Sequence, residues 1–142
     1  MDITEDFCSY EVAKLLKEKG FNEPIRCWYD NTKDFHESGV KMRNSDCINP
    51  TIMCPTHQMA MKWLREKYQL LISVDVSPIY GRVKDENGRN TCGLLYWHYI
   101  ASGEWMNEKY NPNQKAFVVS AKCYEEAVET ALKYSLENLI LL

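Results

Sequence analysis

The chain has 142 residues, 45% hydrophobic and 26% charged, with a net charge of −3 at neutral pH. That is material for one globular domain over residues 1–142, with a core that needs neither disulfide nor metal to fold. The acidic balance gives no long-range pull toward phosphates, and no apolar run is long enough to cross a bilayer, which argues against nucleic-acid and membrane partners.

The first residues, Met1 to Asp6, are acidic and lack the basic and apolar regions of a secretory signal. A cytoplasmic location with reduced thiols is therefore expected. Cys8, Cys27, Cys47, Cys54, Cys92 and Cys123 are widely and irregularly spaced. That spacing fits buried thiols better than a disulfide framework.

In chain order, "SYEVAKLLKEKGF" predicts a helix over residues 9–19. Val12, Leu15 and Leu16 share a face, Ser9 caps the start, and Gly20 with Phe21 closes the end as a Schellman motif. "IRCWYD" at 25–30 is rich in β-formers and predicts a strand. The polar stretch 31–53 predicts a long loop with one short strand near 40–43.

"THQMAMKWLREKY" predicts an amphipathic helix over 57–68, capped by Thr56. Ala60, Trp63, Leu64 and Tyr68 lie inward, with His57 and Met61 on the flank. "LLISVDVSPIY" alternates as a half-buried strand that Pro78 either ends or marks as an edge. Asn87-Gly88 predicts a hairpin joining 79–84 to a strand within 92–100. Residues 102–115 read as a loop and 116–120 as a short strand.

"CYEEAVETALKYSLENLILL" predicts the last helix. Its inward stripe is Ala127, Val128, Ala131, Leu132, Ser135 and Leu139, and its solvated stripe is Glu126, Glu129, Lys133 and Glu137. Cys123 occupies the capping position, with Glu126 three residues on. The apolar end 139–142 must dock on the sheet or meet another chain. The expected architecture is α+β: a mostly antiparallel sheet of three to five strands with three helices packed mainly on one face.

Chemistry-bearing motifs are sparse. Cys47, Cys54 and His57 are spaced C-x6-C-x2-H, without the tight cysteine knuckle of a zinc site, so no metal and no other cofactor is expected. Cys54 and His57 are the nearest approach to a nucleophile and base, but no cysteine-hydrolase signature surrounds them. Phosphate loops and metalloprotease motifs are missing, so catalysis is not expected.

The clearest functional signal is the aromatic run Tyr96, Trp97, His98 and Tyr99. Alternate members of a strand face opposite sides, so if helices cover one face, one pair is left for a protein partner or for a second copy of the chain. The alternative is a small enzyme or ligand binder with a pocket between the 31–53 loop and the sheet.

The stretches "CPTHQMAMKWLREKY" and "CYEEAVETALKYSLENLI" resemble those of small uncharacterised α+β proteins of gut Bacteroidales and their prophages. In these, a proline-threonine start leads into a "KWLRE" helix, a hairpin follows, and a "YEEA" helix closes the chain. The resemblance spans mainly residues 55–79 and 124–140. It implies a bacterial or phage accessory protein and brings no activity and no catalytic residues with it. Cys54 and Cys123 at the cap positions depart from that pattern.

Overall fold

A computed structural model describes residues 5–102, 117–121 and 123–140. Helix α1 (Tyr10–Glu18) leads into strands β1 (Ile25–Tyr29) and β2 (Phe35–Met42), a 3-10 turn at Asn44–Asp46, and the short β3 (Ile52–Met53). Helix α2 (His57–Tyr68), β4 (Leu70–Lys84), β5 (Asn90–Ser102), β6 (Phe117–Ala121) and helix α3 (Tyr124–Tyr134) follow, with a π-turn at Ser135–Leu139. The architecture is α+β, and every described strand pairing is antiparallel. The strands form two three-stranded sheets, ordered β2-β1-β3 and β4-β5-β6, where the sequence predicted one.

The α1 caps follow their residue chemistry. The Ser9 hydroxyl accepts from the Val12 amide, and Gly20 adopts φ +94°. The Phe21 amide then reaches back to the Leu16 carbonyl at 2.8 Å, and the Phe21 ring is buried edge-on against Trp63.

The predicted 31–53 loop is largely a hairpin instead. Asp30 Oδ1 accepts from the Thr32 and Asp34 amides, and Lys33 takes a left-handed φ of 66°, so the chain reverses tightly and β2 begins at Phe35. Buried Asn44 then ties the returning segment down: its Nδ2 donates to the Phe21 carbonyl and its Oδ1 accepts from the Met53 amide.

The core gathers one face of each helix together with residues from both sheets. Val12 and Leu16 of α1 meet Ala60, Met61, Trp63 and Leu64 of α2, and Val128, Ala131 and Leu132 of α3. Leu70 and Ile100 bring in the base of the β4–β5 hairpin. Past Tyr134 the π-turn shifts the helical phase, so Leu136 and Ile140 are buried and Leu139, the residue predicted inward, is only partly so.

Strand β4 continues through Pro78 as the edge of its sheet, and its register with β5 slips between Tyr80 and Val83. A proline is tolerated there because an edge strand has one row of backbone groups without a sheet partner. The predicted loop at 102–115 lies, beyond Ser102, outside the described residues, as do the last two leucines of the apolar end.

Candidate functional site

Among the described residues, a grouping of cysteine, histidine and carboxylate side chains lies where three chain segments meet. Residues just ahead of α1 pair with the residues entering α2: Cys8 N–H donates to the Pro55 carbonyl at 3.0 Å, His57 N–H donates to the Asp6 carbonyl at 2.8 Å, and Phe7 bridges Thr56. This brings Ser9, the cap of α1, beside His57, the first residue of α2. Glu129, one turn into α3, reaches across both.

Glu129 Oε1 accepts from the Ser9 amide at 2.8 Å and from His57 Nε2 at 2.7 Å, while Oε2 accepts from the Ser9 hydroxyl at 2.8 Å. One carboxylate thus joins the cap residue of α1 to the first side chain of α2, and at the α1 end the backbone dipoles favour its negative charge. Burial alone would raise the Glu129 pKa, but the hydrogen bonds from His57 and Ser9 outweigh it and hold the carboxyl below its ordinary value. With the carboxylate ionised, Nε2 of His57 carries the shared proton. The other ring nitrogen, Nδ1, is buried and has no hydrogen-bond partner among the described residues.

Cys8 completes the group. Its Sγ, a ring nitrogen of His57 and a carboxylate oxygen of Glu129 lie within 4.8 Å of one another. Burial first, then the nearby charge of Glu129 and the neighbouring Cys54, raise the Cys8 thiol pKa well above its usual value. Cys54 donates to the Cys8 carbonyl at 3.2 Å, and the Tyr29 hydroxyl donates to the same oxygen at 2.7 Å. Burial is also the main cause that pushes Cys54 up to about 12. Both thiols are protonated at neutral pH, so neither offers a nucleophilic thiolate to His57.

The candidate ligand trio from the sequence does not assemble. Cys47 Sγ contacts the Arg43 carbonyl and Met53 Sδ, Cys54 points to Cys8, and only His57 belongs to the described cluster. Glu129 was predicted on the solvated stripe of α3. It is drawn inward because two helix ends present donors that a surface acid can reach. Cys123 stands at the cap position of α3 but makes no cap hydrogen bond, a thiol being a weak acceptor.

The aromatic run divides as strand geometry requires. Register pairs Val76 with Tyr96, Val74 with His98 and Ile72 with Ile100 on the helix-facing side, where His98 is 1% exposed. Burial lowers the His98 pKa. Trp97 and Tyr99 lie on the opposite side, half-buried, with ring centroids 4.8 Å apart. They share that side with Leu71, 43% exposed, and with exposed Ser73 and Asp75.

Two clefts flank β1 and α2. The larger, ≈ 600 Å³, is walled by Arg43, Trp63, Lys62, Glu66 and Lys67; the smaller, ≈ 400 Å³, is lined by Glu37 and Lys41 of β2 and by Cys27 and Cys54, which are joined through their backbones. Their walls mix acids and bases. Among the described residues no helix is long and apolar enough to cross a membrane. No family model, curated protein or solved structure matches the chain.

Proposed function

We propose that the chain is a non-catalytic interaction protein that associates with a second copy of itself through the outer face of the β4–β5–β6 sheet. The observation that carries this reading is the Trp97–Tyr99 ring pair, half-exposed beside Leu71 on the face turned away from α2 and α3. Rigid aromatic surface of this kind is what protein contacts use as anchors.

The self-pairing geometry follows from what the edge forbids. Pro78, exposed Asp75 and the bulge between Tyr80 and Val83 blunt β4 against strand addition. The outer face remains, and two identical faces can pack about 10 Å apart around a two-fold axis. A catalytic reading has less support, because the buried thiols beside His57 are held protonated. The ligand-binding alternative has less as well, because the walls of both clefts mix acids, bases and apolar side chains, with no single charge to select a ligand.

Sedimentation velocity over a concentration series tests the proposal. The wild-type chain should dimerise, and Trp97→Glu should sediment as a monomer with an unchanged far-ultraviolet circular dichroism spectrum. A wild-type monomer at every concentration, or a dimer indifferent to Trp97→Glu, would refute it.

A further inference from the structure

We infer that Cys8, His57 and Glu129 form a binding site for a divalent zinc-class metal ion. The three side chains come from three separate segments, and their ligand atoms lie within 4.8 Å of one another. They offer one sulfur, one nitrogen and one oxygen. Calcium and magnesium take oxygen ligands almost exclusively, whereas zinc accepts all three donor types at one tetrahedral centre.

Charge also fits. Metal binding releases the Cys8 proton to solvent and moves the His57 ring proton from Nε2, the nitrogen beside Glu129, to Nδ1, leaving a thiolate, a carboxylate and a neutral imidazole, whose total of −2 a divalent ion cancels. Without a cation the thiolate would face the Glu129 carboxylate in a buried setting, an arrangement that keeps the thiol protonated.

Tetrahedral bonds of about 2.0–2.3 Å place ligand atoms roughly 3.5 Å apart, so the 2.7 Å contact between His57 Nε2 and Glu129 Oε1 must open to admit the ion while the wider separations, up to 4.8 Å, close around it. Glu129, the partly exposed member at 26%, has room to supply that movement. Ser9 holds the carboxylate through both its amide and its hydroxyl, the outer hydrogen bonding that orients ligating carboxylates. The His57 ring, 5% exposed, holds Nε2 against Glu129 in a sheltered setting where water competes little for the ion. Three protein ligands leave the fourth position to water.

The test uses the full chain, stripped with chelator and titrated with Zn²⁺ by calorimetry and with Co²⁺ by absorbance. One ion per chain is expected, with a near-ultraviolet thiolate-to-cobalt charge-transfer band. Cys8→Ser should abolish the band, and Glu129→Gln should weaken Zn²⁺ binding by about tenfold or more. Cys47→Ser should change neither. Circular dichroism of each variant checks folding, and the cobalt band of the wild-type chain stands as a readout that needs no variant. The inference fails if the wild-type chain binds no ion stoichiometrically or shows no band. It fails equally if a folded Cys8→Ser variant keeps the band, or if Cys47→Ser removes it.

Discussion

Replacing Glu129 by alanine takes away a single carboxylate that accepts three hydrogen bonds, from the Ser9 amide, the Ser9 hydroxyl and His57 Nε2. A sheltered hydrogen bond to a charged acceptor contributes about 1.5–3 kcal/mol. The Glu129 side chain is 26% exposed, so water replaces part of what is lost. Taking roughly 1 kcal/mol per bond gives a loss on the order of 3 kcal/mol. With an unfolding entropy of about 2.1 cal/mol/K per residue, that lowers the melting temperature by about 10 °C. Glu129→Gln keeps the volume and one carbonyl acceptor but not the charge, and should lose about half as much. Thermal and urea unfolding with chelator present would measure both without any contribution from metal.

The pH dependence of the same pair has a definite sign. The folded Glu129 pKa lies below its ordinary value of 4.5. Its contribution is therefore complete above that value and is lost as the pH falls through the folded pKa. The stability gap between wild type and Glu129→Gln should close in acid, as the pH falls below about 4.5. An alanine variant that melts within about 2 °C of wild type would refute the assignment of this carboxylate as the tie between α1, α2 and α3.

Two further outcomes follow from local geometry. Gly20→Ala should cost about 1–2 kcal/mol in urea unfolding; the nearest atom to an added Cβ is Lys67 Nζ at 3.8 Å, so the cost comes from the backbone at φ +94° and not from crowding. Among the described cysteines, a thiol reagent should label exposed Cys123 in the native protein well before buried Cys8 and Cys54, which should react only on unfolding. Rapid native labelling of Cys8, measured by peptide mass mapping, would contradict its burial.

Local chemistry made most of the elements legible. Ser9 and Thr56 cap the helices as their hydroxyls require, Gly20 closes α1, and Asn87-Gly88 turns the β4–β5 hairpin. The second sheet was not legible, because β2 is polar and mostly exposed and carries no alternating apolar signal. Its start is fixed by how Asp30 folds over the Thr32 and Asp34 amides.

The site was half visible. His57 drew attention for its place among sulfur-bearing residues, but its partners lie far off in sequence, at Cys8 and Glu129. Helical periodicity put Glu129 on the wet face of α3; periodicity cannot register donors presented by another helix end. The phase change at Ser135 was hidden for a related reason, since a π-turn breaks the period from which burial is read.

The tie at Glu129 spans 120 residues to Ser9 and 72 to His57. A ribosome therefore delivers both of its recipients long before the donor of the charge. Until α3 emerges, the entry to α1 is held by the strand-like contact of Asp6, Phe7 and Cys8 with residues 55–57 and by the Tyr29 hydroxyl and Cys54 thiol on the Cys8 carbonyl. Closing the larger ring, compared with one a quarter its size, costs only about 1.2 kcal/mol more in chain entropy. Thermodynamics thus barely penalises the long reach, while the order of synthesis makes this fastening the last to be set.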